Sequence, residues 1–480
     1  MTLDTASIQF VLFGLTAALI SNLSRSQVWR SAVLLLASIV FLGLLGRDPI
    51  AFAPLAGFLL LGYAGLLARE RGGSRVLIAA LLAAIFAYVW LKKYTILPAA
   101  LFLHFPYITV GLSYIFFRVL HLIIESGESA EPGNIGLGAY LLYTLNFTTL
   151  VSGPIQRYDE FSRDQFAGEP IELGSRVVAL QLERIVRGFF KVNVLAMLLH
   201  AIHEDALAQI SQPLSLTLKM YAAFRLVVVY PFFLYANFSG YIDIVIAMAR
   251  LMRLRLPENF DRPFSASSFL DFWTRWHITL STWLKTYVYN SLLVALMRRV
   301  SSVAMQPFLG VLCFFVTFFL VGMWHGRTSE FIVYGVLLGG GISINKLWQL
   351  GLASLLGKKG YKALAKNSLY VALGRGLTFS WFAFTLFWFW ADWGQINGAF
   401  AALDTLSWAA VWLSIWLCAT ALLALWEWLR AALLSIEMGG EPLLTSRYAR
   451  VIYASALGLA AFVISILLNQ PAPDIVYKAF

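Results

Sequence analysis

Long runs of apolar residues, separated by short polar connections, recur along the whole 480-residue chain. A helix that crosses a bilayer needs about 20 mostly apolar residues. Runs of about that length lie at 7–21, 31–46, 51–68, 75–91, 95–124, 137–152, 185–201, 218–252, 303–324, 331–350, 376–392, 407–434 and 450–468. They lack the strict alternation of membrane β-strands, and backbone in hydrocarbon must satisfy its own hydrogen bonds. The pattern therefore predicts an all-α polytopic membrane protein with about 11–14 membrane helices.

Two of these runs are long enough to form a broken span or two separate elements. The run 95–124 contains Pro98 and Pro106, and the run 218–252 contains Pro231 and Gly240. Proline removes a backbone donor and its ring clashes with the preceding turn. We therefore expect an interruption in both runs.

The polar stretches between the runs are no longer than loops, which predicts one membrane-embedded domain over residues 1–480. Its motif-bearing core covers about 100–345, and its C-terminal helices cover 376–468.

The composition narrows the class of protein further. Hydrophobic residues make up 60% of the chain and charged residues 13%, whereas soluble domains are about 45–50% apolar and about 25% charged. These values exclude a soluble enzyme, a disordered chain and a small disulfide scaffold. The net charge of +11 fits the basic bias of cytoplasmic loops better than a nucleic-acid partner.

A polar interruption follows the run 137–152. Ser152, Gly153 and Pro154 cannot continue a regular helix, and Arg157 comes directly after them. One interpretation is a helix end whose arginine reaches the membrane surface. The other is a re-entrant turn that brings polar backbone close to a substrate path.

Asp243 stands inside an otherwise apolar run. Intramembrane carboxylates are costly and face a partner or a water-filled cavity. Asp243 is therefore either part of an interhelical salt bridge or hydrogen bond, or part of a functional pocket.

The segment 257–289 predicts a helix that lies at the membrane interface. Ser265, Ser267 or Ser268 is its expected N-cap. Its apolar stripe has spacings of three and four residues and is made of Trp273, Trp276, His277, Leu280, Trp283, Leu284 and Tyr287. His277 is the one titratable group in that stripe, so it is either a satisfied core residue or a functional one.

His325 ends an apolar run of about twenty residues and is followed by Gly326. A histidine at the mouth of a span can be neutral near pH 7 and act as a base. We expect Gly326 to leave room for a ligand to approach closely. The alternative interpretation is a polar cap on the helix end.

Other catalytic and metal-binding motifs are absent from the sequence. There is no GxSxG, P-loop, HExxH or GxGxxG pattern in a fitting context. His200 and His203 lie three residues apart with no obvious third ligand, so we expect no metal site.

Three segments resemble the membrane-bound O-acyltransferase (MBOAT) family. They are SGPIQRYDEF at 152–161, PENFDRPFSASSFLDFWTRWHITLSTWLKTYVY at 257–289, and MWHG…YG at 323–335. The likeness is to the bacterial branch, which includes alginate O-acetyltransferase and the teichoic-acid D-alanyl transfer protein. It implies a ring or funnel of helices around a thin central channel.

The resemblance also implies roles for individual residues. The family's essential histidine falls on His325 and its second histidine on His277. Residues at other motif positions are expected to support the structure or form the substrate pocket: Asp243, Asn259, Arg275, Trp276, Trp324, Ser152 and Arg157.

The resemblance implies an O-acyltransferase in the bacterial inner membrane. It would move an acyl group, acetyl or D-alanyl, from a cytoplasmic thioester to a hydroxyl of an exported polysaccharide or cell-wall polymer. His325 would be the general base, and His277 would position a reactant or stabilise developing charge. No cofactor is expected to bind tightly, because the co-substrate is acyl-CoA or an acyl-phosphopantetheine carrier protein.

The expected partners are the bilayer, an acyl carrier protein and an extracytoplasmic acyltransferase. Two alternatives stay open at this point. One is a transporter or flippase of a glycan or lipid-linked substrate, and the other is an inactive scaffold.

Overall fold

The computed structural model describes residues 7–46, 48–126, 135–166, 168–300, 302–438, 441–442, 446–468 and 473–476. In chain order its α-helices are Ile8–Ser21 (α1), Gln27–Leu45 (α2), Ala53–Arg71 (α3), Ser74–Leu91 (α4), Leu112–Glu125 (α5), Leu137–Thr144 (α6), Phe147–Leu150 (α7), Tyr158–Gln165 (α8), Ser175–Phe190 (α9), Met197–Ile210 (α10), Leu216–Leu251 (α11), Phe269–Phe272 (α12), Ile278–Leu284 (α13), Asn290–Met297 (α14), Gln306–His325 (α15), Glu330–Leu364 (α16), Ser368–Thr385 (α17), Phe387–Trp390 (α18), Trp393–Ala401 (α19), Thr405–Leu434 (α20) and Arg447–Leu468 (α21).

The remaining regular structure is short. Four 3₁₀ turns lie at Pro49–Phe52, Ala99–Leu101, Pro263–Ser265 and Val303–Met305. Two π-helical turns lie at Lys191–Ala196 and Lys285–Tyr289. Within the described ranges, β-structure amounts to the antiparallel pair Glu437–Met438 and Glu441–Pro442 and one isolated bridge. The prediction of an all-α protein is confirmed.

Ten helical segments of the described ranges are long and apolar enough to cross a membrane. They are Gln27–Leu45, Pro49–Arg71, Ser74–Leu91, Ser175–Ile210, Leu216–Leu251, Val303–His325, Glu330–Leu364, Ser368–Trp390, Thr405–Leu434 and Arg447–Ile464. With the shorter apolar helix Ile8–Ser21, the number of membrane helices among the described residues reaches the lower end of the predicted range of about 11–14. The polytopic membrane architecture is therefore confirmed, while the ring or funnel around a channel stays a prediction.

The two proline-containing runs behave differently. The run 95–124 is interrupted as predicted, because α5 begins only at Leu112, after Gly111 in a left-handed conformation with φ +80°. The predicted interruption of 218–252 is wrong, since α11 continues through Pro231 from Leu216 to Leu251. In a buried, apolar setting a break in α11 would leave several backbone groups without hydrogen bonds. A proline inside the continuous helix removes only one hydrogen bond.

The chain divides into two compact units, and the prediction of a single domain stays a prediction. The first unit consists of Met1–Val194, Asn237–Glu258 and Leu457–Phe480. Part of its core is a set of packed aromatic rings at Phe10, Phe41, Phe147 and Tyr241.

The second unit consists of Leu195–Ala236 and Asn259–Ala456. Its helices α15 and α16 approach so closely that Gly322 lies against the backbone of Gly335. A Cβ on Gly335 would in turn lie 2.6 Å from the carbonyl oxygen of Phe319. This contact of small residues brings α15, which ends at His325, directly against α16.

The predicted single helix within 257–289 is wrong. Ser268, one of the three predicted N-cap residues, is the N-cap of a short helix, α12. Its hydroxyl accepts a hydrogen bond from the backbone N–H of Asp271 at 3.2 Å. The chain then leaves the helix and resumes at Ile278 as α13. His277 lies at the break.

Candidate active site

His325 is the last residue of α15, as the hydropathy pattern predicts. Its Nδ1 lies 2.6 Å from the carbonyl oxygen of Val321, one turn earlier in the same helix. A carbonyl oxygen can only accept a hydrogen bond, so Nδ1 carries the proton. In the neutral ring the basic lone pair is therefore on Nε2, which is the arrangement required of a general base.

The imidazole of His325 is 1% exposed and is surrounded by aromatic rings. Its ring centroid lies 4.9 Å from Trp324, 5.4 Å from Phe389 and 5.7 Å from Tyr334. Tyr334 belongs to the third motif but was not singled out from the sequence. Phe389 is 64 positions further along the chain from His325, and no local pattern connects the two residues.

The expectation that Gly326 leaves room for a ligand is wrong. The position that a Cβ would occupy at Gly326 is filled by the ring of Phe331. The glycine allows close approach, but the group that approaches belongs to the protein itself.

His277 has backbone angles of φ 46° and ψ 51°, in the left-handed region that non-glycine residues rarely adopt. Hydrogen bonds from another segment replace those of a continuous helix. The backbone of Ile278 donates to Asn259 at 3.0 Å, and that of Asp261 donates to Arg275 at 2.9 Å. Pairing with the segment that begins at Asn259 therefore breaks the helix at the histidine.

The side chain of Asn259 orients the His277 imidazole. Its Oδ1 accepts from the backbone N–H of Thr279 at 3.1 Å and from the Thr279 hydroxyl at 2.9 Å. The same oxygen lies 3.3 Å from Nδ1 of His277, which consequently donates to it. Thr279 is a member of this site that the sequence analysis missed, although its position two residues after a motif histidine was a usable signal.

Burial controls the ionisation of His277. The imidazole is 1% exposed, and this desolvation lowers its pKa well below the ordinary value of 6.5. The neighbouring imidazole of His325 lowers that pKa further. His277 is therefore neutral at neutral pH, with its basic lone pair on Nε2.

Trp324 contacts both histidines. Its ring centroid lies 6.2 Å from that of His277 and 4.9 Å from that of His325. The second unit thus brings together two buried imidazoles, each with its Nδ1 proton committed to an oxygen acceptor. Of the predicted site residues, these two histidines are therefore the ones best placed for acid–base catalysis.

Arg275 and Trp276 support the break in the helix. Arg275 donates from Nε to Asp271 at 2.9 Å and lies 3.6 Å from Asp261. Trp276 is fully buried and its ring stacks on that of Phe272 at 5.6 Å. Both side chains fix the polypeptide that leads into the turn that carries His277.

Asp243 belongs to the first unit and forms an ion network. Its carboxylate lies 2.8 Å from Nζ of Lys191, 2.9 Å from Nε of Arg184 and 3.5 Å from Nε of Arg187. The side chain is 10% exposed. Of the two interpretations of Asp243, these contacts favour the interhelical salt bridge.

Ser152 and Arg157 also belong to the first unit. Ser152 is buried in the non-helical segment that follows α7. Arg157 is about half exposed and pairs with Glu125 at 2.7 Å and with Asp159 at 3.3 Å. These surface ion pairs favour the interpretation of Arg157 as an interfacial arginine at a helix boundary.

Part of the chain is similar to a known protein family. Residues 126–356 match the model of MBOAT, the membrane-bound O-acyltransferase family. The matched range contains all nine of the predicted site residues.

Two kinds of curated protein resemble the chain. It is 30% identical over 282 residues to "Teichoic acid D-alanyltransferase" of Streptococcus thermophilus, a match that covers 56% of this chain and 65% of that protein. It is 28% identical to the protein of the same name from Bacillus subtilis, over 47% of this chain and 56% of the relative. It is 31% identical to "Probable alginate O-acetylase AlgI" of Pseudomonas syringae pv. tomato, over 49% of this chain and 42% of the relative. The chain thus spans less than two thirds of the length of each of these relatives.

Proposed function

We propose that the protein is a membrane-bound O-acyltransferase whose reaction takes place at His325 and His277. The observation that carries the proposal is the contact of both imidazoles with the indole of Trp324. Two neutral histidines held in fixed tautomers beside one another provide a base and a second proton-transfer group. The match of residues 126–356 to the MBOAT family model supports the same chemistry.

In the proposed step, Nε2 of His325 takes the proton of an acceptor hydroxyl while the hydroxyl oxygen attacks the thioester carbonyl carbon. The new C–O bond forms, the C–S bond breaks, and the sulfur leaves with the bonding electron pair. The imidazolium then returns the proton to the thiolate, so that the products are an ester and a thiol. General-base catalysis of this kind contributes about 10²–10⁴-fold to the rate.

His277 has a supporting part in this proposal. Its Nε2 either accepts a hydrogen bond from the attacking hydroxyl or, after protonation, stabilises charge that develops at the carbonyl oxygen. The fixed Nδ1–Asn259 hydrogen bond keeps the ring in the orientation that either interaction needs.

The enclosure of the site suits acyl transfer. A thioester that meets bulk water is hydrolysed, and exclusion of water prevents this side reaction. The aromatic rings of Trp324, Tyr334 and Phe389 surround His325 and exclude water from the base. Substrates consequently reach His325 only when at least one of these side chains gives way.

The relatives' names suggest the substrate class. One set is named for teichoic acid and the other for alginate, and both are polymers. We therefore propose that the acceptor is a hydroxyl of an exported polysaccharide or cell-wall polymer and that the acyl group is acetyl or D-alanyl. The donor would be acyl-CoA or an acyl-phosphopantetheine carrier protein. The protein partners would be that carrier protein and an extracytoplasmic acyltransferase. The location would be the bacterial inner membrane.

The test uses full-length protein in liposomes, supplied with radiolabelled acetyl-CoA or D-alanyl carrier protein and with alginate or lipoteichoic acid. Wild-type protein is expected to place label on one polymer through a bond that mild alkali cleaves. His325→Ala is expected to lower the rate at least 10²-fold, while the exposed His104→Ala serves as a matched histidine control and keeps the rate.

Two outcomes would contradict the proposal. Ester formation by His325→Ala at the wild-type rate would exclude His325 as the base. Label or glycan that crosses the liposome membrane without forming an ester would favour the alternative, a transporter or flippase.

A further inference from the structure

A second group of titratable side chains lies on α10, within the second unit. His200, His203 and Glu204 have spacings of three and four residues, which places them on one face of the helix. Their candidate ligand atoms all lie within 4.8 Å of one another. Nδ1 of His200 lies 3.9 Å from Oε1 of Glu204, and Nδ1 of His203 lies 3.7 Å from the same oxygen.

His203 lacks the hydrogen bonds that a buried imidazole requires. Its side chain is 2% exposed, yet neither ring nitrogen has a hydrogen-bond partner among the described residues. A buried polar group without a partner costs about 1–3 kcal/mol. An unsatisfied imidazole therefore has a ring nitrogen that can bind a ligand.

The ring of His203 is also held in place by its neighbours. Its centroid lies 4.6 Å from Trp390 in an edge-on contact and 5.0 Å from Tyr230. Aromatic contacts of this kind restrict the ring without satisfying its nitrogens. Such a rigid histidine loses little conformational freedom on binding a metal ion.

The neighbours of His203 on α10 lie at the surface of the protein. The side chain of Glu204 is 58% exposed and that of His200 is 43% exposed. An ion can therefore approach from the side of the Glu204 carboxylate, since Nδ1 of His200 and both ring nitrogens of His203 are themselves buried, and a water molecule can complete its coordination. The atoms of a tetrahedral zinc site lie roughly 3.3–3.5 Å apart, given bonds of about 2.0–2.2 Å. A small rotation of the exposed carboxylate shortens the two His–Glu204 distances of 3.9 and 3.7 Å, and a shift of the His200 side chain sets its distance from His203.

We propose that His200, His203 and Glu204 bind one divalent transition-metal ion of the zinc class. Imidazole and carboxylate are the ligand types that Zn²⁺ accepts, and two histidines with one glutamate leave a position for water. The sequence showed no obvious third ligand beside the two histidines, so no metal site was expected there. Glu204 supplies that ligand, since its position four residues after His200 returns it to the same helical face.

The test is the binding of Zn²⁺ to the purified full-length chain in detergent, after treatment with a chelator and without a polyhistidine tag. We expect isothermal titration to give one Zn²⁺ per chain with a dissociation constant in the micromolar range or lower. Substitution of Co²⁺ is expected to give visible absorption bands of a low-symmetry site. The same Zn²⁺ concentration should raise the thermal unfolding midpoint.

Variants separate this site from adventitious binding. His203→Ala and Glu204→Gln are expected to weaken Zn²⁺ binding at least about tenfold and to remove the thermal shift, whereas the exposed His104→Ala should bind as the wild type does. Glu204 is exposed, so Glu204→Gln keeps the test valid if His203→Ala fails to fold. Equal binding by wild type and Glu204→Gln, or equal losses in His104→Ala, would overturn the proposal.

Discussion

His277 and Asn259 are joined by a hydrogen bond of 3.3 Å between Nδ1 and Oδ1, across 18 positions of sequence. The same amide oxygen accepts two hydrogen bonds from Thr279. The Asn259 side chain thus holds both the first turn of α13, through Thr279, and the imidazole of His277. Loss of Asn259 affects both the local fold and the orientation of the ring.

Replacement of Asn259 by alanine should lower both stability and turnover. The variant leaves the Thr279 and His277 donors without their buried acceptor, at a cost of about 1–3 kcal/mol. Thermal unfolding and acyl-transfer rate per folded molecule measure the two effects. Asn397→Ala, at an exposed position, is the matched control and should change neither.

Asn259→Asp should shift the pH dependence of activity. In the wild type, burial holds the pKa of His277 well below 6.5, so activity that needs its neutral ring is lost only as pH falls through that lowered pKa. A carboxylate at position 259 stabilises the imidazolium and raises the pKa of His277. The acid limb of the kcat/KM profile is therefore expected at higher pH in the variant, and an unmoved limb would exclude neutral His277 from the reaction.

The left-handed backbone at His277 predicts a difference between two inactive variants. A non-glycine residue in this conformation costs roughly 1–2 kcal/mol, and the greater unfolded-state freedom of glycine offsets part of the gain. His277→Gly should consequently be more stable than His277→Ala by up to about 1 kcal/mol. Both should be slow in acyl transfer, and a lower melting midpoint for the glycine variant would contradict this account.

Gly322→Ala should destabilise the pair of helices that carries His325. The new methyl group would overlap the backbone of Gly335, so α15 and α16 would have to separate. Overpacking of this kind costs about 1–3 kcal/mol. Gly340→Ala, on α16 with nothing within 4 Å of the added carbon, is the control and should be neutral or slightly stabilising. Similar melting midpoints for the two variants would show that the close approach is not required.

Asp243→Asn tests a structural role for a residue at a recurring motif position. The variant leaves Arg184, Lys191 and Arg187 without their shared carboxylate, which we expect to cost about 3 kcal/mol. Turnover per folded molecule should be retained. Asp159→Asn removes a carboxylate that is 56% exposed and should change the free energy of unfolding by less than about 0.5 kcal/mol. Wild-type stability with lost turnover in Asp243→Asn would instead indicate a pocket role.

Local pattern predicted most helices of this protein because each span satisfies its own backbone. The predicted run 303–324 became α15, which ends at His325, and the run 407–434 became α20. Hydrocarbon admits only backbone that is hydrogen-bonded within itself or closed into a barrel, so hydropathy and length were sufficient here. The same reasoning failed at Pro231, where the buried environment kept the helix continuous.

The sequence by itself determined an all-α membrane protein, the two histidines and the order of their motifs, because these depend on residue type and spacing along the chain. The tertiary structure alone decided that His277 interrupts a helix, that Trp324 contacts both imidazoles and that Phe389 packs against His325. It also decided that the ring of His203 is buried against Tyr230 and Trp390 without a hydrogen bond to either nitrogen among the described residues. Hydrogen bonds and ring contacts between distant segments outweigh local helical preference, and no local periodicity encodes which distant segments meet.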